Sequence, residues 1–331
     1  HPQSFSYHEP WWDSYHVMAQ YITRLSAAMS QGEQRNRVLV IEPTTTAWMY
    51  QFDASQAGRL GEIGKTFFDL LMGFERAQVE YEIGCEDVIA RHGAVSKPGG
   101  QQIGAPRRFA VGQREYTTVV LPPMTETLRS ETMKLLEEAA SSGLQILSCG
   151  PPPALVDGRL SDRGAKLAQS LGWQQVDPAR ATETLVPVLG LDRRAIRRAA
   201  DDKGILFHQR RQLADGDLLL LVNTSLDAPS QGLVEAQAKS VQKWDLFTGA
   251  VSASPFAMEG GAARLDFELP PCGSLLLFLG KEPAAVGESP SVVRGSPDPA
   301  LAATDRSPES GRPAVGGSGE VGRPAPNAVG G

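Results

Sequence analysis

The residues best equipped for chemistry crowd the amino end of the chain. Phe5-Ser-Tyr-His-Glu-Pro-Trp-Trp-Asp13 places Tyr7, His8, Glu9, Trp11 and Trp12 within six positions. Aromatic rings offer flat apolar faces for stacking, with polar edges that hydrogen-bond. A sugar, with C–H faces and a rim of hydroxyls, suits such a surface, and His8 and Glu9 could add hydroxyl contacts. Packing of the two tryptophans onto neighbouring elements explains the same composition equally well, so both readings stand at this point. Glycoside hydrolysis needs two carboxyl groups about 5 to 10 Å apart. Glu9 alone, beside a proline, does not make that pair, and no catalytic residue is assigned here.

Elsewhere the chemistry is sparse. Cys85, Cys149 and Cys272 are far apart, without CxxC or Cys/His spacing, and buried thiols are expected. No metal site and no cofactor follows from the sequence. Cys149 in "LSCGPPP" ends a strand, but three prolines occupy the place where a nucleophile elbow would begin its helix. Neither His92 nor His208 lies in a motif that would serve it. The turn "EPTTTAW" after the first strand lacks the glycines of a dinucleotide fingerprint, and no GxxxxGK[ST] occurs. Thr44, Thr45 and Thr46 are expected to cap or to satisfy backbone groups. Asn223-Thr224-Ser225 fits a glycosylation acceptor but reads as a strand end.

The bulk numbers narrow the partners. A net charge of −6 over 331 residues argues against nucleic acid. The basic run "RRAIRR", Arg193 to Arg198, is followed by Asp201 and Asp202 and reads as a solvated helix face. No apolar run is long enough to span a membrane, and no signal peptide is expected in this stretch.

The elements that must hold these residues alternate in type. Asp13 to Gln31 has helical spacing through Met18, Tyr21, Ile22, Leu25 and Met29, with Asp13 as N-cap and Gly32 as stop. The strands "RVLVIEP", "TTVVLPP" and "LQILSCG" alternate with helices at Gly64–Glu80 and Glu126–Ser141. A further strand and short helix fall within "VEYEIGCEDVIARHG", and a hairpin turns at Gly112 in "RFAVGQREY". This order predicts a doubly wound α/β domain. After residue 203, "GILFHQRRQLADGDLLLLVNTS", "VQKWDLFTG", "ARLDFELPP" and "GSLLLFLG" predict a β-sandwich, its first hairpin at Asp215-Gly216. The final 51 residues hold eight Pro, nine Gly and no aromatic residue, a composition expected to be disordered.

In that order the pieces resemble the C-terminal part of large multidomain glycoside hydrolases. The segment "HPQSFSYHEPWWDSYHVMAQYITRLSAAMSQGE" with "RVLVIEP" resembles the end of the catalytic barrel in the bacterial α-L-rhamnosidase type, glycoside hydrolase family 106. More distantly it is similar to β-galactosidases carrying a glutamine-amidotransferase-like domain. "REYTTVVLPPMTETLRSETMKLLEEAASSGLQIL" and "WDLFTG … ELPPCGSLLLF" are similar to the α/β domain and sandwich that follow. The resemblance implies an α/β plus β fold. Residues 1–34 would end a (β/α)8 barrel, and 35–178 would form a flavodoxin-like, class I amidotransferase-like domain. A helical connection would span 179–202, a sandwich 203–280 and a tail 281–331. It implies a carbohydrate substrate met by Tyr7, His8, Glu9, Trp11 and Trp12, with the catalytic carboxylates upstream, so that this stretch alone would be inactive. A periplasmic or extracellular location and a homo-oligomer built through the α/β domain belong to the same expectation. A non-catalytic scaffold or carbohydrate-binding module is the alternative.

Overall fold

A computed structural model describes residues 6–34, 36–96, 108–189 and 195–283. The expected disorder of the Pro/Gly-rich tail concerns residues almost all outside that range.

Strands β1 (Val38–Ile41), β2 (Tyr81–Gly84), β3 (Thr118–Leu121), β4 (Gln145–Ser148) and β5 (Trp173–Gln175) form one parallel sheet in the order β5-β4-β3-β1-β2. Their near-continuous apolar runs reflect burial on both faces. Leu39, Ile41, Val119, Leu121 and Ile146 face helices α4 (Glu86–His92), α5 (Ser130–Ser141) and α6 (Arg163–Leu167). Val38, Val40, Val120 and Leu147 face α3 (Ala57–Arg76) and α7 (Ala181–Leu189). The short helix α2, Thr44–Trp48, follows β1 directly. Thr46 meets its expectation: its buried hydroxyl accepts from the amides of Glu126 and Thr127 at 3.1 and 3.2 Å.

Nine strands follow: β6 (Ala195–Arg198), β7 (Leu206–Gln212), β8 (Gly216–Asn223), β9 (Ser230–Ala236), β10 (Ser240–Trp244), β11 (Val251–Ala253), β12 (Ala257–Glu259), β13 (Ala262–Leu269) and β14 (Ser274–Gly280). They form two antiparallel sheets, β7-β8-β14-β10-β11 and β6-β9-β13-β12. Leu219, Leu221 and Leu277 from one meet Val234, Leu265 and Phe267 from the other. The four leucines Leu218–Leu221 are buried without alternation because helix α1, Tyr15–Met29, covers the outer face. Leu218, Leu220 and Leu276 pack there against Tyr21, Leu25, Ala28 and Met29.

The chain leaves α1 through Gly32 at φ +56°, where a Cβ would stand 2.1 Å from the carbonyl oxygen of Gln212. Only glycine accepts both that conformation and that approach. Glu33 and Gln212 then exchange backbone bonds of 2.9 and 2.8 Å, and Arg211 donates to the carbonyls of Gln31 and Gly32 at 2.7 and 2.8 Å. The carbonyls just past the helix end thereby gain donors.

Several expectations change. Asp13 is not the N-cap of α1: a 3-10 turn at Trp12–Ser14 precedes the helix and contains it. Helix α3 begins at Ala57 rather than near Gly64. Gly58, Gly61 and Gly64 sit in open space there, and Ile63 anchors the turn in the core. The basic run is no helix face where it is described. Ala195–Arg198 is edge strand β6, paired with β9 from Ala195↔Glu235 to Arg198↔Gly232. Its apparent i,i+4 partner Asp202 turns the chain instead, accepting from Arg198 Nε (2.6 Å), the amide of Gly204 (2.9 Å) and Ser230 Oγ (2.9 Å). Finally, of the three thiols only Cys149 is buried; Cys85 and Cys272 are exposed on turns beside strand ends.

Candidate functional site

The aromatic stretch folds as consecutive turns into α1. The amide of Glu9 donates to the carbonyl of Ser6, that of Trp12 to Glu9, and that of Ser14 to Trp11, each at 3.0 Å. Backbone groups of Glu9 therefore hold the turn. Two ring groups result. Tyr7 and His8 lie with centroids 4.0 Å apart. Trp11 and Trp12 each stand 5.8 Å from the ring of Tyr15, Trp12 stacked on it within 6° of parallel.

These rings are open. Tyr7 is 73% exposed, Trp11 39% and Trp12 40%. Exposed apolar side chains continue beyond them along the first half of α1, at Val17, Met18 and Ile22. Contacts with the sandwich fix the helix further along: Tyr21 pairs its hydroxyl with Ser274 Oγ at 2.8 Å, and Arg24 donates to the carbonyl of Leu246 at 3.0 Å. Tyr15 is not among the sequence candidates, and Met18 and Ile22 are read there only as positions of the helical apolar pattern. The signal of Tyr15 was there, because it stands three and four residues after the tryptophans, the spacing of facing helical side chains.

The shelf of rings brings together stacking faces with Glu9 and Asp13 as its nearby carboxylates. Among the described residues no group of three or more His, Cys, Asp or Glu side chains is placed to hold a metal ion. No described helix is long and apolar enough to cross a membrane.

The other sequence candidates have structural roles. Burial, helped by the negative charge of Asp177, pushes the Cys149 thiol up to about 12, far from the range of a nucleophilic thiolate. Asn223 is fully buried: its amide donates to the carbonyls of Ala228 and Pro270 at 2.8 and 3.0 Å, and its oxygen accepts from the amides of Ile205 and Ser225. No glycan could reach it. His208 lies in the seam between β7 and the α/β layer, far in sequence from Cys149. There Glu80 meets Arg210 in a two-pronged ion pair of 2.7 and 2.6 Å. Burial works to raise the Glu80 carboxyl, but Arg210 and His208 overcome it and hold it down to about 2.

Neither a protein-family model nor a curated protein matches this sequence. Solved structures do. A rhamnosidase from Novosphingobium sp. PP1Y superposes with a TM-score of 0.58 at 14% identity, over 86% of this chain and 26% of that one. A GH42 beta-galactosidase from G. stearothermophilus gives 0.52 at 9% identity, over 83% and 44%. A beta-galactosidase from Bacillus circulans sp. alkalophilus gives 0.52 at 9%, over 83% and 46%. The chain thus spans between about a quarter and a half of the length of these structures. At such identities the likeness concerns the fold: a parallel α/β layer followed by antiparallel sheets, as found in glycoside hydrolases.

Proposed function

We propose that this chain is the C-terminal portion of a glycoside hydrolase acting on an O-glycosidic bond, of an α-L-rhamnoside or a β-galactoside. On this reading the sheet order β5-β4-β3-β1-β2 is a flavodoxin-like, amidotransferase-like layer, residues 203–280 are the sandwich, and residues 1–34 complete a (β/α)8 barrel. The observation that carries the reading is the open shelf of Tyr7, Trp11, Trp12 and Tyr15 at the head of a helix locked to the sandwich. Rings fixed in place lose little freedom when a sugar stacks on them.

Chemistry would come from elsewhere. Cleavage through an oxocarbenium-like transition state needs an acid and a second carboxylate flanking the bond. Glu9 and Asp13 lie four residues apart in the turns that lead into α1, and on this reading the part of the chain is to bind and orient. Hydrolysis of aryl α-rhamnoside and aryl β-galactoside tests this, comparing this chain with the product of the gene read upstream of His1. Turnover by the longer protein alone is expected. Absence of turnover from both, with no barrel encoded upstream, would refute it.

A second reading has its own support. Met18 and Ile22 extend the shelf with side chains that offer a sugar no polar contact, and apolar surface of that kind marks contacts between proteins. A scaffold or oligomer would use the shelf as packing. Self-association weakened by Ile22→Ser, with no effect of sugars, would favour it.

A further inference from the structure

The turn between β10 and β11 carries a ring that its own construction does not require. The Asp245 carboxylate accepts from the amides of Phe247 and Thr248 at 2.8 and 3.0 Å. The amide of Gly249 donates to the carbonyl of Asp245 at 2.7 Å, and the amide of Asp245 to the carbonyl of Ala250 at 2.9 Å. Arg24 of α1 donates to the carbonyls of Leu246 and Phe247. An aspartate that closes on its own backbone makes such a turn whatever side chain stands two residues later. Yet the residue there is phenylalanine, and it is 63% exposed. Single exposed apolar side chains are ordinary, but this one has neighbours. Its ring centroid lies 4.9 Å from that of Tyr21. Along α1, Tyr15, Met18 and Tyr21 stand three residues apart, the spacing at which helical side chains border one another. An apolar track thus runs from the stacked rings of Trp12 and Tyr15, past exposed Met18, to Tyr21 and Phe247. From Tyr15 to Tyr21 the helix rises about 9 Å, so the track is longer than one sugar ring.

We propose that Phe247 is a further carbohydrate-contact residue, stacking on a sugar unit remote from the bond that is cleaved, so that the substrate is an oligosaccharide chain. The inference rests on the glycosidase reading and on the shelf as its sugar-binding wall. The braces on the turn suit this role. Held by Asp245 and by Arg24, the ring is already in place and gives up little freedom when a sugar stacks on it. Contact made away from the reacting centre contributes only for a substrate long enough to reach it. Loops fixed on a rigid scaffold commonly carry such contacts.

The test uses the protein extended upstream of His1, with a tetramer of β-linked galactose or α-linked rhamnose beside the aryl glycoside of the same sugar. Phe247→Ala should lower kcat/KM on the tetramer about 2- to 13-fold, the loss of one stacking contact, and leave the aryl glycoside unchanged. Phe247→Trp, which keeps a ring, should retain activity on the tetramer. Falls of equal size on both substrates would mean that the ring only props α1, and would overturn the inference. So would an unchanged rate on the tetramer where Trp11→Ala or Trp12→Ala lowers hydrolysis; the glycosidase reading would then stand without it. Self-association weakened by Phe247→Ala at unaltered hydrolysis would assign the ring to a protein contact and overturn it as well. No turnover of either substrate would refute the glycosidase reading, and the inference falls with it.

Discussion

Removing the Arg210 guanidinium should destabilise the protein more than any surface ion pair could. Arg210 is 9% exposed and holds two acids at once, Glu80 of the α/β layer and the buried Asp217 of β8. Arg210→Met keeps much of the aliphatic stem and leaves both carboxylates without it. Stranding one partner of a buried pair costs about 3 to 5 kcal/mol. A second route agrees. A carboxyl held at about 2 instead of 4.5 contributes about 3 kcal/mol at neutral pH. Because the folded value is the lower one, this contribution is complete above pH 4.5. It is lost as the pH falls from there through 2. Urea midpoints at pH 7 and at pH 3 should therefore differ more for the wild type than for Arg210→Met. Glu80→Gln closes the double-mutant cycle and isolates the pair. A loss below about 1 kcal/mol at pH 7, the range of exposed pairs, would refute the reasoning. So would an identical acid slope in both proteins.

Three further outcomes follow from single contacts. Gly32→Ala must fit a Cβ where Gln212 O stands 2.1 Å away and hold φ at +56°, so urea denaturation should show a loss of about 2 kcal/mol or more. Ellman's reagent should modify Cys85 and Cys272 in the native protein, and Cys149 only once urea has unfolded it. Asn223→Ala takes the acceptor from the amides of Ile205 and Ser225 and should cost about 3 kcal/mol in the same assay, while the wild type from a glycosylating host should carry no mass addition at Asn223.

Much of the architecture was legible because local pattern and tertiary fate agree. Val38–Ile41, Thr118–Leu121 and Gln145–Ser148 read as buried strands, since a parallel sheet covered on both faces leaves no polar alternation. Gly112, at φ +58°, marked its hairpin, and Asp215-Gly216 marked the turn from β7 to β8. What escaped was set by distant partners. Ala195–Arg198 has the charge pattern of a helix, and only the β9 edge, some 35 residues later in sequence, makes it a strand. Thr127–Leu128 pairs with Leu155–Val156 and so delays α5 to Ser130. The Glu80–Arg210–His208 seam joins residues about 130 positions apart, and no spacing rule reaches that far. The aromatic stretch was visible at once as a concentration of rings. Its openness was not, because that depends on how far along α1 the sandwich reaches.

Contact between the shelf and sugar is the central claim to test. In the protein extended upstream of His1, steady-state hydrolysis of aryl α-rhamnoside and aryl β-galactoside should be compared for the wild type, Trp11→Ala and Trp12→Ala, with urea midpoints in parallel. Lost stacking of about 0.5 to 1.5 kcal/mol per ring corresponds to a fall of about 2- to 13-fold in kcat/KM. The half-exposed rings should leave the midpoints nearly unchanged. Unchanged kcat/KM in both variants would contradict the account and leave the shelf as a packing surface.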